Sequence, residues 1–493
     1  MTSDTTFSST IKTLVWFRQD LRLHDNPALI DAANNGAILP VYILDDINAE
    51  QWRMGAASRS WLHHSLTALN DKLQGNLLVL SGDASTIIPE LCHDHACTSV
   101  VWNRCYEPWR IKRDTNIKAS LKSHNIAVKS FNGSLLWEPT QVLKSDGTPY
   151  KVFTPYYRKG CLRQLEPRAP EPSPTALQFI KVDKKYHSCV AHQGINDLNL
   201  LSSLGWDKGF YPLWQPGEDG AEKQLLKFKQ QSAFYYKDRR DFPSITGTSH
   251  LSPHLHFGEI SINRIWHGIF EAAQEQGINP FDDSNLDCYL SELGWREFSY
   301  YLLYHFPYIP EQNHQPKFNA FPWQRDQQSL ERWQQGLTGY PIIDAGMREL
   351  WQTGYMHNRV RMIVGSFLVK NLLIDWREGE QWFWDCLLDA DLASNAASWQ
   401  WVAGSGADAS PYFRIFNPVT QGKKFDPEGE YVKRFVPELS RLPKKYIHSP
   451  WEASSSELKL YGITLGQSYP SPIVDLSTSR KRALEALEIC QNK

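Results

Sequence analysis

Between Thr13 and Trp137, short apolar runs alternate with stretches of helical periodicity: TLVWF, AILPVYILDD, NLLVLSG, SVVWN and AVKSF. Continuous runs rich in Val, Ile and Leu are what strands buried on both faces require, so these five predict a parallel sheet. Between the second and third runs, Trp61, Leu62, Leu66, Leu69 and Leu73 recur on one helical face. The expected product is a doubly wound α/β domain over residues 11–137. Residues 138–212 lose the periodicity and gather Pro149, Pro155, Pro167, Pro170, Pro172 and Pro174, the composition of a long inter-domain linker. From Glu222 onward helical patterns dominate, including Asp287–His305, Ile342–Thr353, His357–Asn371 and Gly379–Leu388. A second, all-α domain is therefore expected over residues 213–475, and no internal repeat suggests a solenoid.

Composition narrows the class. Hydrophobic residues at 41% and charged residues at 22% of 493 are ordinary globular usage, which argues against disorder, collagen and coiled coil. No run approaches the roughly 20 apolar residues that span a bilayer, and Met1–Lys12 has no apolar core for secretion, so the expected compartment is the cytosol. Net charge is −2, and residues 1–200 hold 22 Lys+Arg against 19 Asp+Glu, so any nucleic-acid contact must be a local patch. The cysteines Cys92, Cys97, Cys105, Cys161, Cys189, Cys288, Cys386 and Cys490 show no paired CxxC spacing, which predicts reduced thiols and no metal site. The first strand is not followed by GxGxxG, so nothing on the sheet signals a dinucleotide.

The chemistry-bearing clusters lie in the helical half. In SELGWREF, Glu292, Trp295 and Arg296 fall at i, i+3 and i+4, which suits either a surface ion pair beside a half-buried Trp or a wall that stacks on a planar ligand. GYMHNRVRM brings Asn358, Arg359, Arg361 and Met362 to the start of a helix facing an anionic or polar ligand. In DADLASNAASWQW the acids Asp389 and Asp391 precede a small-residue helix carrying Asn395 and, one turn on, Trp399. Small residues there let a helix approach either another helix or a flat ligand. Thr248, Ser249 and Ser252 flank a Gly-containing turn that could offer hydroxyls and N–H groups to a diphosphate.

Taken in order, FRQDLRLHDNPAL, SELGWREF, MHNRVRM, DADLASNAASWQW and PYFRIFNPVTQGKKFDP make the chain resemble the DNA photolyase/cryptochrome family from about Thr13 to Pro437, and among its branches most resemble class I cyclobutane pyrimidine dimer photolyases. The resemblance implies a helical domain that holds FAD, active as FADH⁻. Its contacts would come from Tyr236, Thr248, Ser249, His250, Leu251, Ser252, Arg296, Asn358, Arg361, Asp389, Asp391 and Asn395. Asn395 matches the position facing flavin N5, and His250 stands where some relatives have Arg. Glu292, Trp295, Met362 and Trp401 match the pocket for a flipped-out dimer, and Arg240, Arg359 and Arg414 match phosphate-binding positions. Trp399, Trp376 and Trp323 match an electron-transfer triad.

The implied function is blue-light repair of UV-damaged DNA, single- or double-stranded, by electron transfer from excited reduced FAD to the dimer. That is a carbon–carbon lyase activity in a monomer, placed in a bacterial cytosol or nucleoid. A (6-4) photolyase would need a His pair where this chain has Asn358 and Met362, and a cryptochrome photoreceptor would carry a long C-terminal extension or a change at Asn395. The antenna chromophore stays open between 5,10-methenyltetrahydrofolate, an 8-hydroxy-deazaflavin, another flavin or none, because NRCYEPWRIKRD has Trp109 and Arg110 where some folate-binding relatives show Asn and Glu.

Overall fold

A computed structural model describes residues 11–163, 166–182, 194–409 and 413–491. Cys189, and Pro411 and Tyr412 of the PYFRIFNP motif, lie outside the described residues. All five apolar runs form strands: β1 (Ile11–Phe17), β2 (Gly36–Leu44), β3 (Leu78–Ser81), β4 (Ser99–Asn103) and β5 (Ala127–Phe131). They pair in parallel in the order β3-β2-β1-β4-β5. The order reverses at β1, which is the doubly wound arrangement. The Leu-rich stripe becomes the Ala56–Lys72 helix, with Trp61, Leu62, Leu66 and Leu69 buried. Burial of both sheet faces explains why the central strands read as unbroken apolar runs, whereas the edge strand β5 alternates partly buried with exposed positions.

Beyond β5 the described residues form helices and loops, with isolated bridges at Ile38–Phe179 and Leu465–Tyr469. The expected helices appear as Ser284–His305, Pro341–Thr353, Asn358–Ser366 and Trp376–Cys386, and the third widens into a π-type turn, Phe367–Asn371. The Pro-rich connection is exposed over much of its described part but is anchored where it meets the helices. Its turn Pro155–Cys161 buries Tyr156, Tyr157 and Cys161 among helical-domain side chains such as Phe298 and Tyr301. The two halves dock through buried polar contacts: Trp61 donates to Glu259 (2.9 Å), and Arg22 donates to the Gly258 carbonyl (2.9 Å). Gly258 has φ +65°, and a Cβ there would come within 2.0 Å of the Gln19 carbonyl, so only glycine permits this approach.

Candidate functional site

The Ser284–His305 helix begins at Asp283, whose carboxylate accepts from the N–H groups of Asn285 and Leu286. Its three chemistry-bearing side chains diverge. Glu292 pairs with Arg240, 52 residues away, rather than with Arg296 one turn on. Trp295 lies face to face with Phe153 of the linker, the rings 3.8 Å apart and 11° from parallel. Arg296 donates to the Ser134 carbonyl (3.0 Å) and to Glu297 (3.1 Å), toward the α/β domain. The helix thus carries an indole backed by a second ring and, one turn before it, an acid held by a base.

The Asn358–Ser366 helix supplies the next side chains. His357 caps it, its ring nitrogen accepting from the Arg359 N–H (3.2 Å). Asn358 is exposed. Arg359 donates to Asp241 (2.7 and 3.2 Å), reaches the Met362 sulfur (3.8 Å), and lies 4.5 Å from the Phe425 ring. Arg361 turns the other way, donating to Asp389 (2.9 Å) and to the Met356 carbonyl (2.7 Å). The other carboxylate oxygen of Asp389 is buried without a partner, an acceptor waiting for a donor. Beneath this helix Glu349 accepts from the Tyr431 hydroxyl (2.6 Å) and the His357 N–H (3.2 Å).

Asp391 caps the Leu392–Ala403 helix, accepting from Ser394 N–H (2.7 Å) and Tyr300 hydroxyl (2.5 Å), so both its oxygens are used within the protein. Asn395 donates to the Glu380 carbonyl (3.0 Å), which fixes the amide's orientation. The Thr248–Ser252 turn is held by Gln224 donating to the Ser249 carbonyl (2.8 Å), and His250 sits at φ +51° between Trp214 and Tyr355. A non-glycine residue in that region is strain of the kind that gathers at ligand sites. Burial, with Lys227 second, draws His250 down to about 4. Tyr236 is buried against Phe228 and Tyr289, with Arg240 above its ring (5.3 Å).

Trp399 is almost fully buried against Phe383 (5.0 Å) and Trp333 (6.3 Å), and its ring occupies the space where Gly379 lacks a side chain. Trp376 is fully buried and donates to Asn313 (3.0 Å), while Trp323 is half-buried against Phe321 (4.3 Å). Trp399 and Trp376 are thus both enclosed, and of the three Trp323 alone is partly open to solvent. Trp401 and Arg414 line one shallow pocket with Lys370 and Phe413. Among residues without a sequence signal of their own, Phe153 backs Trp295 and Trp333 packs on Trp399. Asp241 could have been noticed as an acid directly after Arg240.

A separate cleft in the α/β domain is lined by Trp16, Arg18, Asp45, Trp109, Arg110 and Arg113. Arg110 lies 4.6 Å from the Trp109 ring, and Arg113 lies 4.6 Å from Trp16 and pairs with Asp45 (3.1 Å). Alternating guanidinium and indole planes suit a flat anionic ring.

Burial raises Glu349 to about 7. A carboxyl whose folded pKa is raised contributes stability that is full below its ordinary value near 4.5 and lost as pH rises through about 7. Glu349→Gln keeps an oxygen for Tyr431 and His357 but cannot ionise. Its melting temperature is expected to fall less than wild type's between pH 5 and pH 8; parallel melting curves across that range would contradict the assignment.

The family model described as "DNA photolyase" matches residues 13–175, and that described as "FAD binding domain of DNA photolyase" matches residues 289–489. The chain is 48% identical to the deoxyribodipyrimidine photo-lyase of Agrobacterium fabrum over 97% of its own length and 98% of the relative's. It is 39% identical to Cryptochrome-2 of Arabidopsis thaliana, over 97% and 78%. A crystal structure of a bacterial class III photolyase from Agrobacterium tumefaciens superposes with a TM-score of 0.93 at 46% identity, covering all of both chains. The branch named there is class III, whereas the motifs were matched to class I.

Proposed function

The chain belongs to the DNA photolyase family, and from that membership we propose that it repairs cyclobutane pyrimidine dimers in DNA under blue light, as a deoxyribodipyrimidine photo-lyase does. The observation that carries this reading is Trp295 braced on Phe153 beside the Glu292–Arg240 pair. A damaged base pair costs less to extrude than an intact one, and its flat face needs an aromatic platform with a polar group at its edge. Within the family, likeness to the class III structure favours that branch over class I.

FAD is the cofactor, and the residues present fit it. Asp389 offers an unpartnered buried acceptor, and the Thr248–Ser252 turn supplies hydroxyls and N–H groups. When bound and reduced, FAD supplies the photoexcited electron. The protein's part is positioning. Arg361 holds Asp389 in place, and the bond to Glu380 aims the Asn395 amide. Trp295, Trp401 and Met362 receive the dimer, Glu292 hydrogen-bonds its edge, and Arg240, Arg359 and Arg414 take backbone phosphates. Asp391 acts through the helix it caps, and Trp323, Trp376 and Trp399 form a path of oxidisable rings from surface to interior. The α/β cleft is the place for an antenna chromophore, and an absorption spectrum of the purified holoprotein identifies which ring it holds.

Among the described residues no helix is long and apolar enough to cross a membrane, and we place the protein with DNA in the cytosol as a monomer. Purified, chemically reduced holoenzyme should restore adjacent pyrimidines in a dimer-containing oligonucleotide under blue light and not in the dark; equal yields in light and dark would overturn the reading. Trp399→Phe is expected to slow light-driven reduction of the bound flavin severalfold while pre-reduced enzyme keeps its repair rate. Loss of repair by the pre-reduced variant would reject the relay.

A further inference from the structure

Two arginines assigned to phosphate contact are already neutralised inside the protein. Arg359 donates twice to one oxygen of Asp241 (2.7 and 3.2 Å), and the same oxygen lies 3.9 Å from Arg240 Nε. Arg240 is also paired with Glu292. The Arg359 and Asp241 side chains are 20% and 34% exposed, so water and an incoming phosphate can both reach the pair. The reaction makes no use of Asp241. It offers Arg359 a charged oxygen acceptor of the kind a phosphate would offer, from 118 residues away in the chain.

We infer that Asp241 is an internal counter-ion that competes with DNA phosphate for Arg359 and Arg240, and thereby sets the affinity and salt dependence of binding to undamaged DNA. This rests on the phosphate-binding roles given to those arginines above. A phosphate that engages Arg359 must first displace a carboxylate, so the contact releases less net free energy and fewer salt ions than a bare arginine would give. Each additional phosphate neutralised by a free cation steepens the salt slope, log K against log[salt], by about 0.9 on duplex DNA. Weak contact with undamaged duplex favours rapid release during search, while a captured dimer adds stacking and hydrogen bonds that outweigh the displaced pair.

The test is titration of undamaged duplex over a range of salt with the FAD-loaded protein and five variants. Asp241→Asn is expected to bind about two- to fivefold more tightly at low salt, with a slope steeper by up to about 0.9. Asp241→Glu should return both toward wild type. Asp238→Asn removes the same formal charge from an exposed residue three positions away in the Tyr236–Arg239 helix, and should change neither. In an Arg359→Gln background the Asp241 substitution should lose most of its effect on the slope. An unchanged slope and affinity in Asp241→Asn, or an equal change in Asp238→Asn, overturns the inference, as does a full Asp241 effect without Arg359. Wild-type protein that binds duplex with the expected Asp241 response but repairs no dimer would count against the proposed reaction and leave the counter-ion role standing; wild type that binds no DNA overturns both.

Discussion

Asp389→Ala is expected to lose about 1–3 kcal/mol of stability and most of the bound FAD. Burial disfavours the Arg361 charge, and Asp389, with smaller help from Tyr355 and Glu349, more than offsets it, leaving the guanidinium's pKa above its ordinary value. Removing the carboxylate strands that cation with the Met356 carbonyl as its remaining hydrogen-bond partner. Breaking a partly buried pair from one side is more damaging than its net contribution suggests, because the surviving charge keeps part of its desolvation cost. Denaturant unfolding of the protein, with the flavin-to-protein absorbance ratio, measures both effects. An Asp389→Ala protein as stable as wild type and fully loaded with FAD would contradict the role given to the pair.

Trp295→Ala should weaken binding to dimer-containing DNA by about 1–3 kcal/mol, the range for loss of one stacking platform. That corresponds to about 5- to 150-fold in Kd. Phe153 makes the platform rigid: with the rings 3.8 Å apart, the indole is backed before any ligand arrives, so little ordering cost accompanies binding. Undamaged DNA, held through arginines, should lose much less. Titrations of both substrates at one salt concentration decide it, and equal losses on the two would remove Trp295 from the pocket.

How much was legible from sequence depended on how local each feature is. Strands β1 to β5 announced themselves because a strand buried on both faces must be apolar throughout, and the Ala56–Lys72 helix because one face of it packs on that sheet. The Asn358–Ser366 helix and its π-type continuation were read as one helix, since periodicity does not register a change of hydrogen-bond spacing after Ser366. Arg361 and Asp389 were each named by the family resemblance as cofactor contacts, and the structure pairs them at 2.9 Å. The pairings Arg240 with Glu292 and Arg359 with Asp241 were not legible, because they join residues 52 and 118 positions apart. The stack of Phe153 on Trp295 was hidden for a different reason. Its segment is rich in proline and has no period, so nothing local marks a side chain that serves a distant helix.

The central claim is tested most directly by blue-light turnover of two oligonucleotides side by side, one with a cyclobutane pyrimidine dimer and one with a (6-4) photoproduct, using chemically reduced holoenzyme. By the family resemblance Asn358 and Met362 match the positions where a (6-4) enzyme would need a His pair, so the expected result is repair of the cyclobutane dimer and none of the (6-4) lesion. Repair of the (6-4) lesion, or repair of neither, would contradict it.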